Sequence, residues 1–313
     1  MTTIERLDGW KAAGVISVEQ HTLLAALVKH ERFSVFVELS ALLYVGVIAV
    51  VGGLTWTFRE YVVNLGDAAI LAILTLLMVL AFGYCFSKAA PYSNAEVESP
   101  TLAFDYVLYF GCLIFAATLA FLETRFGLFH GWDTHLLIAA IVFGLLAYRF
   151  DNRFVLSLAL STLAGYLGLK LAVFDAIHAD RLRGIAMLYG AFLIGFGALL
   201  YHFQIKRHFL ETFLQLGGNA ILLALAFGSV DGRYLNYYLV ALVLLASATI
   251  YLGIHYRRFA FVAYGMLYGY GVISARIVEK LAEPTVTFLY FIVSGSLVLF
   301  ALVVIARRFG RDE

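Results

Sequence analysis

Glu211, Gln215 and Asn219 stand four residues apart inside an apolar run, HFLETFLQLGGNAILLALAFGSV. On a helix that spacing puts a carboxylate and two amides on one face. At a rise of 1.5 Å per residue, Asn219 lies about 12 Å deeper than Glu211. Two chemistries suit such a stripe. It lines a water-filled path for a proton, a cation or a small solute, with Glu211 as the charged site. Alternatively it is interhelical hydrogen-bond glue, contributing around 0.6 kcal/mol per bond, with Gly217 and Gly218 permitting close helix approach.

Two further acids, Glu38 and Asp105, share the position of Glu211 about one turn inside a helix that begins at the same side. An acid there gains about 0.3–1 kcal/mol from the helix dipole. A charge at mid-bilayer instead costs about 2.5–3.5 kcal/mol. The three acids are therefore either dipole-matched residues paired with nearby Arg and Lys, or an ion site at an inner vestibule built from several helices. Tyr264 and Tyr268 share a face in FAFVAYGMLYGYGVISARIVEKL. They ring a ligand cavity or bond to neighbouring helices.

Two loops carry metal-like residues: His130, Asp133 and His135 in HGWDTH, and Asp175, His178 and Asp180 in DAIHAD. Histidine and carboxylate suit zinc or manganese. Neither spacing matches an established motif, and polar loops in water account for the same residues. No nucleotide cradle, HExxH or GxSxG is present. Conventional hydrolase or ATP-driven chemistry has no residues to carry it, and no cofactor is called for. With a net charge of +1, nucleic-acid binding has no electrostatic basis. Cys85 and Cys112 lie in apolar segments and read as buried thiols.

The elements that position these groups must sit in lipid. Hydrophobic residues make up 63% of the 313 and charged residues 14%, where a soluble domain is about half apolar and a quarter charged. The bilayer is the expected partner of most of the chain. Ten stretches approach the length of about 20 residues that a spanning helix needs: 34–58, 67–87, 101–122, 134–149, 154–174, 184–205, 209–229, 234–254, 259–278 and 285–306. The fourth is short, and the fifth carries Lys170 near one end, placed to snorkel. The expected fold is an all-α polytopic membrane bundle, residues 34–313, preceded by a short helical hairpin, 1–33. MTTIERLDGWKAAGV has no signal-peptide core. Most Lys and Arg fall on the side of the two termini. The positive-inside rule then places both ends in the cytoplasm of a cell whose cytoplasmic (inner) membrane holds the bundle. Arg32-Phe33, Arg153-Phe154, Lys206-Arg207-His208-Phe209 and Arg258-Phe259 each open an outward-going helix, the last three 55 and 50 residues apart. Either hairpins repeat, or each interface selects a basic residue and an aromatic.

The hairpin has its own signature. Ile4, Leu7 and Trp10 mark one apolar face, Gly14 ends the first helix, and Ser17 with Gln20 fits a capping box. Leu23, Leu24, Leu27 and Val28 form the second stripe. The pattern Leu7…Trp10…Gly14-Val15-Ile16-Ser17…Glu19-Gln20, continued by Glu38, Tyr44 and Gly46 in the first span, resembles a family of prokaryotic predicted membrane proteins known only as a domain of unknown function. The resemblance implies many spans and assigns no catalytic residue.

Three functions fit. A secondary transporter or permease would move a small solute or lipid-like molecule. A structural or sensory subunit would dock a protein partner through the hairpin. An intramembrane metal enzyme would use the His and Asp loops.

Overall fold

The computed structural model describes residues 3–12, 14–18, 20–21, 66–97, 99–128, 131–174, 179–231, 235–281 and 283–311, with single residues 46, 49 and 53. Among these every regular element is helical: α1 Thr3–Ala12, α2 Asp67–Lys88, α3 Leu102–Phe126, α4 Trp132–Phe150, α5 Arg153–Phe174, α6 Ala179–His202, α7 Leu210–Asp231, α8 Leu235–His255, α9 Phe259–Val278 and α10 Pro284–Arg311. Eight of the described helices are long and apolar enough to cross a membrane. The chain is an all-helical, multispan membrane protein. Of the first expected span, 34–58, only residues 46, 49 and 53 are described, and the boundary at 33/34 lies outside the described residues.

The fifth expected span, 154–174, forms the 22-residue helix α5. Lys170 binds Asp133 at 3.0 Å. Across the chain, exposure is apolar rather than polar: Leu188, Leu244, Leu297 and Phe300 are each more than 60% exposed. On α10 no residue of the spanning window is buried. In water such surface would drive association; hydrocarbon tolerates it.

The chain divides into two compact units, Ala41–Gly228 and Met1–Ser40 with Ser229–Glu313. In the first, α4 and α5 pair, as do α2 and α3. Its core joins Cys85, Phe104, Leu108, Phe143, Val155, Leu193 and Phe213. Helices α6 and α7 meet where a Cβ on Gly190 would stand 2.5 Å from the Gly217 carbonyl oxygen, and one on Gly217 would stand 2.7 Å from that of Gly190. Gly218 has open space beside it. Close approach therefore belongs to Gly217 alone of the two.

In the second unit α8 and α9 approach at Gly265, where a Cβ would lie 2.7 Å from the Ala246 oxygen. Two reciprocal pairs bind α9 to α10: Tyr270 Oη with Ser294 Oγ, and Ser274 Oγ with Tyr290 Oη, each at 3.0 Å. In the N-terminal turn, Gln20 N donates to Ser17 Oγ at 3.1 Å and Ser17 N to Gln20 Oε1 at 2.8 Å. That is the capping box read from the sequence.

The basic–aromatic repeat corresponds to a repeated turn. Asn152 N donates to Ala147 O, Ile205 N to Leu200 O and Arg258 N to Gly253 O. In each case the preceding residue is left-handed: Asp151, Gln204 and Arg257. This is the bond pattern of the Schellman helix end, and Gly14 with Val15 N on Trp10 O makes a fourth.

Candidate functional site

In the first unit a cluster of polar side chains joins the α4–α5 and α6–α7 turns. Asp151 caps α4 in the left-handed region, φ 57°. That backbone aims its carboxylate into the protein, where it is 2% exposed. Lys206, also left-handed at φ 46°, brings Nζ to 3.1 Å from Oδ2 with its side chain 1% exposed. Val97 N donates to the same oxygen at 2.6 Å. His208 Nε2 lies 2.5 Å from Oδ1. An ionised carboxylate only accepts, so this ring nitrogen carries the proton. The Lys206 ammonium also faces the Tyr92 ring, 5.2 Å from its centroid.

The next residue builds a second knot. Asn152 is the N-cap of α5, its Oδ1 accepting from Val155 N at 2.9 Å. Its Nδ2 donates to Asp105 Oδ1 at 2.8 Å, and Ser99 Oγ donates to the same oxygen at 2.7 Å. One residue further, Arg153 meets Glu96 Oε1 at 2.6 Å and stands 4.0 Å from Glu211 Oε2. Arg149 Nη1 donates to Ala90 O at 3.1 Å. Residues 149–153 thus tie down the 89–101 connection, α3 and the α6–α7 turn. A cavity of about 10 Å³ beside Tyr92, Asp151 and Lys206 has room for about one water. Chemically the cluster links the His208 ring and the Lys206 ammonium to one carboxylate and locks helix ends together. No substrate fits within that cavity.

The expected site residues divide accordingly. Asp105 and Glu211 sit in the first turns of α3 and α7, joined to the cluster through Asn152 and Arg153. Glu38 lies outside the described residues. Gln215 Nε2 donates to Glu211 Oε1 at 3.3 Å, and Asn219 Nδ2 to Gln215 O at 2.8 Å. The amide hydrogens of the stripe, expected to bond across helices, bond within α7, while Glu211 stands 4.0 Å from Arg153 of α5. Tyr264 and Tyr268 lie on α9, but the phenols that join α9 to α10 are Tyr270 of α9 and Tyr290 of α10. Asp133 is paired with Lys170, and His135 is buried at the start of α4. His130, Asp175 and His178 lie outside the described residues; Asp180 falls in the first turn of α6. Among the described residues no three or more His, Cys, Asp or Glu gather to hold a metal.

Sequence reading had not singled out Asp151. Its signal is the polar pair Asp151-Asn152 between two apolar helices, since Asp and Asn both tolerate the left-handed conformation of a helix end.

No curated protein and no solved structure matches the chain. Over residues 8–156, which take in Asp105, Asp151, Asn152 and Arg153 and stop short of Lys206, His208 and Glu211, the chain matches the model of the family described as Predicted membrane protein (DUF2157), a domain of unknown function.

Proposed function

We propose that the chain is a secondary permease for a small solute in the cytoplasmic membrane of a prokaryote, with both termini in the cytoplasm. The turn cluster is then the closed end of its path. One observation carries this reading: Asp151, Lys206 and His208 are buried together at helix ends, with Asp105 and Glu211 tied to the same turns. Burying ionisable groups is costly, and within a membrane bundle such groups mark ion or solute routes by default. Parting the helices there requires these pairs to separate, as in gating that moves one helical bundle against another. Beyond the cluster, Glu211, Gln215 and Asn219 supply the path face on α7.

Purified protein in liposomes loaded with a pH-sensitive dye, exposed in turn to amino acids, sugars and organic acids, tests this. A solute that drives a pH change with wild type is expected. Gln215→Leu/Asn219→Leu should lower that rate at least tenfold with unchanged helicity and melting. Because both amides bond inside α7, the double variant leaves interhelical packing in place. Unchanged transport in a folded double variant removes the path.

A second reading has its own observation. Trp10 is 51% exposed and Val15 70%, on a hairpin fastened by Asp8 and His21 at 2.8 Å. Exposed apolar residues on an ordered turn suit a docking site for a partner protein. Deleting residues 1–30 should then abolish recovery of one defined partner from cross-linked membranes while the bundle still folds. Equal recovery with and without them removes this role.

A further inference from the structure

At the end of the α8–α9 hairpin away from the Tyr256–Arg258 turn, the helices flank a cleft of about 530 Å³. Small-molecule sites run from roughly 300 to 1,000 Å³. Its wall has two characters. Leu239, Ile273 and Ile277 are aliphatic, whereas Asn236, Arg276 and Lys280 are polar. Positions 273, 276, 277 and 280 share one face of α9 and its C-terminal extension by helical spacing, so the cleft is apolar along its length and cationic at its mouth.

Arg276 is the residue that asks for a ligand. Its Nη1 meets Glu279 Oε2 at 3.3 Å, longer than the 2.7–2.9 Å typical of roughly ideal charge-assisted bonds. Nε and Nη2 are buried and have no hydrogen-bond partner among the described residues. These two nitrogens form the side edge of the guanidinium, the fork that takes a carboxylate or phosphate bidentately. A charged donor edge shut away from water without an acceptor is unfavourable. The side chain is 24% exposed and already lines the cleft, so a turn about its terminal bonds presents the fork there. Glu279 neutralises one of the two cations and leaves the mouth with a net positive charge.

We propose that this cleft binds an anionic amphiphile: a phosphate or carboxylate head held by the Nε/Nη2 edge of Arg276, with Lys280 as second cation and the hydrocarbon along Leu239, Ile273 and Ile277. The assignment is independent of the permease reading. A bilayer phospholipid and a free fatty acid share this chemistry, and the test separates them.

Full-length protein in neutral detergent is titrated with phosphatidylglycerol, phosphatidylcholine, oleate and inorganic phosphate, with bound ligand counted by native mass spectrometry. Phosphatidylglycerol or oleate is expected to bind saturably and at least tenfold more tightly than phosphatidylcholine; which of the two binds names the source. Arg276→Leu should lower that affinity at least tenfold, and Arg276→Lys should restore only part of it, because an ammonium keeps the charge without the fork. Ile273→Trp, which fills the cleft and leaves Arg276 in place, should lower it equally. That variant decides the matter if Arg276→Leu does not fold. Equal binding of phosphatidylglycerol and phosphatidylcholine without oleate binding, equal affinity in wild type and Ile273→Trp, or saturable binding of inorganic phosphate alone each overturns the proposal.

Discussion

Replacing Lys206 with methionine lowers the stability of the detergent-solubilised protein by about 3–5 kcal/mol, the usual range when one partner of a buried ion pair is removed. The reason is the isolation of Asp151. Its carboxylate is 2% exposed and loses the ammonium 3.1 Å away, retaining Val97 N and His208. Desolvation is not reversed by the mutation, so the remaining charge stays buried. Asp151→Asn strands Lys206 in the same way and is a clean probe, since asparagine tolerates the left-handed backbone that Asp151 adopts. The double variant Lys206→Met/Asp151→Asn should recover most of the loss, because a neutral, well-packed pair often replaces a buried ion pair without cost. Thermal unfolding of all three variants measures this as a double-mutant cycle. If the two losses simply add, the pair does not hold the turns together.

Gly217→Ala and Gly218→Ala, adjacent in sequence, should behave oppositely. A methyl at Gly217 would stand 2.7 Å from the Gly190 oxygen and 2.8 Å from Ile194 Cγ1. Backbone cannot rotate away, so α6 and α7 must separate, at the roughly 1–3 kcal/mol of an overpacked interior. Gly190→Ala meets the Gly217 oxygen at 2.5 Å and should cost as much. At Gly218 there is open space, and alanine should raise stability by up to about 1 kcal/mol through helix propensity. The order of melting temperatures, with Gly218→Ala at or above wild type and Gly190→Ala and Gly217→Ala well below, is the check. Equal effects at 217 and 218 would mean that the α6–α7 crossing lies elsewhere.

Composition and hydropathy alone determined that this chain is a multispan helical bundle, because lipid admits few other backbones. They also located the hairpin turn, since Gly14 and the Ser17–Gln20 box act through bonds only a few residues long. The position of Glu211 and Asp105 in first turns was legible for the same reason: a helix dipole is a local field. What Asp105, Glu211 and the two amides touch was decided by tertiary structure. Whether Gln215 and Asn219 reach across to another helix depends on which neighbour packs there, and α7 satisfies both internally. Asp151 and Lys206 are 55 positions apart, and their pairing exists only because two separate turns are folded against the 89–101 connection. Hydropathy scores each residue by itself. A buried ion pair depends on two residues meeting, and the depth of the Arg276 cleft depends on how far two helices part, so neither is visible until the helices are placed.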